Sequence, residues 1–243
     1  MSLTVLIPIK NESQIIDQTI TELENSWIKE IDHEIIFLDD FSSDNTVQKI
    51  KDLDKKKLNI SIIKNTKPGL GSAIYLGVTN SKKDYFTIFM ADLSDSIEDM
   101  QMYYNTIKNK NLDSVFGSRF IKGGKTVDYP VVKLILNRLG NLLAKFLMWS
   151  DLNDFTNGFK IYKKNTLIGL YPLISESFNI FFELPLKTIS RGYKYKIIPI
   201  SYYNRTVGEA KFKIDELGSK YLFTLLYCFL EKSLLRKDIK KNK

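Results

Sequence analysis

Residues 85–100 read YFTIFMADLSDSIEDM. The apolar, β-favouring run Tyr85–Met90 stops abruptly in acids at Asp92, Asp95, Glu98 and Asp99, and a helical pattern follows from about residue 96. A strand that delivers carboxylates to its C-terminal end is how many α/β enzymes hold a divalent metal against a phosphate. Such sites usually pair two acids two residues apart. Here Met90 stands two residues before Asp92, and a thioether does not serve a hard cation. The expected metal site therefore rests on Asp92 with Ser94 or Asp95; the alternative use of Asp95 is to cap the following helix.

Outward from this stretch the same alternation recurs. Leu3–Pro8, Glu34–Leu38, Leu58–Ile63 and Ser114–Gly117 read as further strands, with helices expected over about 12–28, 44–56, 69–81 and 96–110. Strands alternating with helices predict an α/β fold, a mostly parallel sheet flanked by helices, whose ligands collect at the C-terminal strand ends. The chemistry-bearing residues sit there: Pro8 to Glu12 after the first strand, Asp39 and Asp40 after the second, and the acids after Met90. Two adjacent acids such as Asp39 and Asp40 repel unless a cation or hydrogen-bond donors satisfy them, which points to a ligand role. Ser43 or Asp44 is placed to cap the helix starting near Asn45. Gly69 and Gly71 precede a helix and allow backbone amides to approach a phosphate, although a loop-to-helix turn also uses glycine.

The second half has a different texture. Pro130–Trp149 reads as a long helix on which Arg138, Asn141 and Lys145 form one polar stripe along an apolar cylinder. DFTNGFKIYKK gives a turn and a short strand, SESFNIFFELPLKTISRG a helix, and YKYKIIPISYY a strand. NRTVGEAKFK gathers Arg205, Lys211 and Lys213 around a glycine, either an anion clamp or an exposed polar loop. Lys220–Leu235 is apolar for only ten residues in its middle, about half of the ~20 needed to span a bilayer. That segment is expected to lie on a membrane, dock on the core or meet a partner helix.

Composition limits the alternatives. With 243 residues, 44% of them hydrophobic, the chain buries a full core. A single cysteine, Cys228, excludes an internal disulfide framework, and a single histidine, His33, makes a Ser-His-Asp triad improbable. MSLTVLIPIK is too short an apolar run for a secretory signal. The net charge of +8 favours anionic partners. Its concentration in the tail from Arg236 to Lys243, after an apolar segment, favours a membrane surface over nucleic acid, whose phosphates the acids at the strand ends would repel.

Six segments, in order, resemble glycosyltransferase family 2 over about residues 3–213, and within it the branch of dolichyl-phosphate mannose synthases and bacterial polyprenyl-phosphate hexosyltransferases. VLIPIKNE is similar to the family's VIPTYNE, FLDDFSSDNT to VDDGSxDGT, and GLGSAIYLGV to GxGxAxxxG. FGSRFIKGG, TNGFKIYKK and NRTVGEAKF are similar to GSRF, to a Thr-Asn/Ser-Gly-Phe element and to the closing RxxGxSKF. Ile9, Lys10, Phe41, Ala210 and above all Met90 depart from the pattern, although some branches read MADxSD at the last of these.

The resemblance implies a GT-A fold, a Rossmann-like nucleotide-diphospho-sugar transferase. Residues 1–118 would be the nucleotide-sugar half, 119–213 the acceptor half, and 214–243 an amphipathic, basic membrane-surface segment. It implies that Pro8, Glu12 and Asp39 or Asp40 hold the base and ribose. Asp92 would contact Mg2+ or Mn2+ on the diphosphate, with Ser94 as a weaker ligand. Arg119, Arg205 and Lys211 would face the phosphates. The implied reaction is inverting hexosyl transfer from GDP-mannose or a UDP-hexose to a polyprenyl phosphate. Its setting would be the cytoplasmic face of the membrane, with a membrane-embedded partner or a second copy as company. An acceptor phosphate is already an anionic nucleophile and asks for no base. A saccharide acceptor would, and Glu183, Asp154 and Asp95 are the candidates. A non-catalytic nucleotide-sugar-binding homologue is the remaining alternative.

Overall fold

The computed structural model describes residues 2–52, 58–203 and 214–234. The first half runs β1 (Leu3–Ile9), α1 (Ile16–Glu24), β2 (His33–Asp39), α2 (Thr46–Asp52), β3 (Ile60–Lys64), α3 (Leu70–Asn80), β4 (Tyr85–Ile88), α4 (Ile97–Lys110) and β5 (Ser114–Ser118). The second half continues β6 (Lys125–Val127), α5 (Val131–Met148), β7 (Lys160–Lys163), α6 (Lys164–Ile168), α7 (Ile180–Ser190), β8 (Tyr195–Pro199), β9 (Ser201–Tyr203) and α8 (Ile214–Leu234). Every expected strand of the first half forms, within two residues of its expected start. The first helix is shorter than the pattern predicts, because residues 12–15 form a turn with Ile15 and Ile16 donating to the Glu12 carbonyl.

Seven strands make the central sheet in the order β3-β2-β1-β4-β7-β5-β8. All neighbours are parallel except β7, which runs antiparallel to both β4 and β5. Its strands are near-continuous apolar runs because both faces are covered. Successive residues go to opposite sides: Val5, Ile7, Ile35 and Phe37 join the core under α1, α2 and α4, while Leu6, Ile36 and Leu38 join the core with α3, α5, α7 and α8. Strand order reverses between β1 and β4, so their C-terminal ends flank a crevice of the kind that binds ligands.

YKYKIIPISYY is not one strand. It breaks at Ile200, and β9 leaves the main sheet to pair with β6 in a two-stranded parallel sheet. β9 also returns to the β4 loop, where Asp95 bridges Tyr202 and Tyr203 donates to the Ser94 carbonyl.

The long helix is apolar on its outer side. Asn141, Ala144 and Met148 are its buried residues. Val131, Val132, Ile135, Leu139, Leu142, Phe146 (72% exposed) and Trp149 (87%) point to solvent. α8 is docked on the core along one face, through Leu225 and Cys228, while Leu222, Phe223, Leu226, Leu230 and Leu234 remain exposed. The Arg191–Glu231 ion pair (2.7 Å) and the Asn179–Thr224 hydrogen bond (3.1 Å) fix it to α7. Among the described residues no helix is long and apolar enough to cross a membrane.

Candidate active site

The crevice between the β1 and β4 ends opens into a cavity of about 490 Å³. Its polar pole is built from Pro8 near the end of β1, Glu12 after it, the β4 loop with Asp92, Ser94 and Asp95, and the cations Arg119 and Lys133. Its other end is apolar, walled by Leu136 and Leu143 of α5, Phe178, Phe181 and Phe182 around the start of α7, and Leu222 and Leu225 of α8.

The β4 loop turns through Leu93 in the left-handed region, with φ at 55°. Asp92 Oδ1 accepts from the Ser94 amide at 3.1 Å. Asp95 is buried, yet its Oδ2 has no hydrogen-bond partner. Burial, reinforced by the Asp92 charge, pushes the Asp95 carboxyl up to about 8, against the opposing pull of Arg119, the Met90 amide and Lys160. Asp95 does not cap α4. Ser96 does, accepting from the Asp99 amide at 3.2 Å. An orphaned carboxylate oxygen beside a second carboxylate and a serine is a hard-oxygen set that suits Mg2+ or Mn2+. No cluster of three or more His, Cys, Asp or Glu suited to a metal occurs among the described residues, so the set fits a cation whose shell a ligand's oxygens complete.

Arg119 directly follows β5 and is held in place rather than swinging. Its Nε and Nη2 donate to the two Asp154 oxygens at 2.8 and 2.7 Å, and its backbone amide donates to Oδ2 at 3.0 Å. Burial alone would lower its pKa, but Asp154 outweighs that and raises it, so it stays charged. Phe120, Tyr129 and Tyr202 surround the guanidinium with rings 5.1–5.6 Å away. Lys133 lies over Tyr129 at 5.4 Å, and its pKa is lowered by burial and then by Arg119.

Asp39 and Asp40 are satisfied as the pattern required, by partners within the chain. Asp39 Oδ1 accepts from the Ser42 amide at 3.0 Å. Asp40 Oδ1 accepts from Asn65 Nδ2 and the Gly69 amide at 2.8 and 2.9 Å, with Lys10 at 3.5 Å. The glycines permit close approach of the chain to itself: a Cβ on Gly71 would sit 2.3 Å from the Ser175 carbonyl oxygen, and the Gly71 amide donates to the Glu176 carbonyl. These four residues are not part of the cavity lining, whereas Pro8, Glu12, Asp92, Ser94, Asp95 and Arg119 come together on it. Arg205, Lys211 and Lys213 lie outside the described residues.

The residues of the α5 stripe differ in their surroundings. Asn141 Oδ1 accepts from the Phe155 and Thr156 amides at 2.6 and 3.3 Å, clamping the loop that carries Asp154. Arg138 is exposed, stacked 4.5 Å from the Phe120 ring. Lys133, Asn137, Tyr129, Thr156 and Tyr202 reach the cavity without having been singled out from the sequence. The signal for two of them was available, since Lys133, Asn137 and Asn141 repeat every four residues along one helix face. The expected bases fare differently. Glu183 accepts from the Ile174 and Ser175 amides and pairs with Lys187 at 3.3 Å, and Asp154 is taken by Arg119; both stand off the cavity lining, which Asp95 joins.

The sequence profile of glycosyl transferase family 2 matches residues 4–169. The chain belongs to glycosyl transferase family 2. Among relatives of this family 2 chain, a dolichol-phosphate mannosyltransferase of Pyrococcus furiosus is 28% identical over 88% of it. An undecaprenyl-phosphate mannosyltransferase of Micrococcus luteus is 26% identical over 87%. The chain spans 60% of the length of the first and 87% of the second. Its fold is GT-A. S. aureus TarS 1–349 superposes with a TM-score of 0.68 at 15% identity, covering 98% of this chain and 68% of that one. Glucosyl-3-phosphoglycerate synthase of Mycobacterium tuberculosis, crystallised with Mn2+, UDP-glucose and phosphoglyceric acid, gives 0.68 at 16%, covering 94% and 79%.

Proposed function

We propose that this family 2 transferase moves a mannosyl or closely related hexosyl group from a nucleotide-sugar, GDP-mannose or a UDP-hexose, to a polyprenyl phosphate at the membrane surface. One observation carries the reading: a single cavity joins an acid-and-cation pole at Asp92, Asp95, Arg119 and Lys133 to a wall of Leu and Phe side chains. A phosphate headed by a sugar and trailed by hydrocarbon matches both ends. The relatives named for dolichol phosphate and undecaprenyl phosphate support the same acceptor class and favour mannose.

In this reading the donor lies toward Pro8 and Glu12, in the 1–118 half, and the acceptor against the 119–213 half. An acceptor phosphate oxygen attacks the anomeric carbon. The bond from that carbon to the diphosphate breaks, the nucleoside diphosphate leaves with the electron pair, and the configuration inverts. No proton moves, so no base is used. The task is to hold two anions together and to stabilise the leaving one. Arg119, fixed by Asp154, and Lys133 offer positive charge that needs no reorganisation. Mg2+ or Mn2+ held by Asp92, with Asp95 and Ser94, would supply charge neutralisation of the diphosphate. The outward apolar faces of α5 and α8, with the basic tail beyond, would rest on the cytoplasmic face of the membrane, where such an acceptor is held.

The test is transfer by the purified chain from labelled GDP- and UDP-sugars to undecaprenyl or dolichyl phosphate in detergent, with and without EDTA. Lipid-extractable label that EDTA abolishes is expected. Label that survives EDTA rejects the metal site, and label found only on a saccharide acceptor rejects the lipid acceptor.

A further inference from the structure

α5 and α8 each carry a glycine that does nothing for packing. Among the described residues, a Cβ placed on Gly140 or on Gly218 meets no atom within 4 Å beyond its chain neighbours and its own helix backbone. Gly77 of α3 shows the usual reason for a helical glycine, since a Cβ there would press on Leu6 and Leu38 of the sheet at 2.8 and 3.0 Å. Gly140 and Gly218 have no such neighbour, although glycine is the poorest residue after proline for a helix interior. Both are exposed, and both line the cavity from opposite helices. Leu136, Leu143 and Leu222 beside them also line the cavity while being 48%, 44% and 51% exposed. The apolar end of the cavity is thus lined from both α5 and α8 by residues that also reach solvent, and at Gly140 and Gly218 no side chain stands between the two.

We infer that Gly140 and Gly218 frame an exit slot through which the acceptor's isoprenoid chain leaves the cavity. This inference rests on the prenyl-phosphate reading above and adds to it the residues that set the acceptor's permitted length. The cavity, at about 490 Å³, has the capacity of a site for one drug-sized ligand. The phosphate and the transferred hexose occupy its polar pole, so only the first isoprene units fit inside. A long chain has to pass out, and the slot leads to the exposed apolar faces of the same two helices. The buried, partnerless Asp95 Oδ2 at the far end of the cavity marks the pole at which the phosphate head, bridged by a cation, stops. A short prenyl phosphate needs no exit.

The experiment compares farnesyl phosphate with undecaprenyl phosphate as acceptors for the full chain and for Gly140→Ala, Gly140→Leu and Gly218→Leu. The ratio of KM for the long acceptor to KM for the short one is expected to rise about tenfold or more in the leucine variants, with alanine between. An unchanged ratio, whether both acceptors are lost together or neither is affected, overturns the slot. Open space at both positions predicts folded variants, and Gly140→Ala is expected to melt above the parent, which a packing role for the glycine would reverse. Wild-type transfer to neither prenyl phosphate would sink the acceptor reading itself, a result visible before any variant is made. Retention of undecaprenyl phosphate on the immobilised chain, weaker in the leucine variants, gives the same answer without turnover.

Discussion

Arg119 and Asp154 meet side-on, Nη2 to Oδ1 at 2.7 Å and Nε to Oδ2 at 2.8 Å, and both are shut off from solvent. The pair turns a mobile arginine at the end of β5 into a fixed charge on the cavity wall. It also ties β5 to the 150–159 loop that leads into β7, the strand that runs against its neighbours. Breaking one half of such a pair strands the other charge. Asp154→Ala is expected to cost about 3–5 kcal/mol in urea unfolding, and the Arg119→Met, Asp154→Leu double variant less than either single change. A double variant as unstable as the sum of the singles would show that the two residues act separately.

Asp92→Asn is expected to lower kcat about a hundredfold or more while the melting temperature stays near the parent's, because the lost interaction belongs to the reacting diphosphate. Met90→Asp tests the substituted ligand. Met90 is half-buried, packs on the core and lines the cavity, and Asp95 already supplies an acid beside Asp92, so an added carboxylate crowds a third negative charge into the site. Turnover and stability should both fall. A tenfold gain in turnover would instead mark a site that has lost its first acid.

The outer face of α5 should bind lipid. Phe146→Glu and Leu139→Glu are expected to reduce sedimentation with vesicles containing anionic lipid and to leave thermal stability unchanged, since neither side chain is buried. Trp149, almost fully exposed, reports directly: its fluorescence should shift to the blue on vesicle binding in the parent and not in the variants. Equal binding by all three would place the membrane contact elsewhere.

Lys160 predicts a pH dependence. It is buried, donates to the Phe155 and Phe181 carbonyls, and burial lowers its pKa to about 7, with Asp154 and Asp95 opposing that and Arg119 adding to it. The unfolded chain holds this proton up to about pH 10.4, so between those values unfolding takes up a proton. Stability therefore rises with pH across that window and the cost is complete below pH 7. From pH 7 to pH 9 the contribution is about 2 kcal/mol, and Lys160→Met should remove that slope from urea titrations. A slope that survives the substitution assigns it to other groups.

What could be read in the sequence was local. The apolar runs of β1 and β2, the cap that Asp44 supplies to Thr46, and the order of strands and helices through residue 118 follow from rules that act over a few residues. The acids at the strand ends were legible too, because strand ends in a parallel sheet converge whatever the side chains are. Tertiary structure decided what local pattern leaves open. It chose which face of α5 turns inward, since a helix with one apolar side is equally at home against a core or a bilayer, and the polar clamp made by Asn141 on the 155–156 loop settled the choice. It also committed Asp40 to Gly69, Asp154 to Arg119 and Glu183 to Lys187. Each of these pairs joins segments whose meeting depends on the packed sheet or on the loops and helices laid against it. Among the named carboxylates beyond the β4 loop, only Glu12 then remained on the cavity wall beside Asp92 and Asp95.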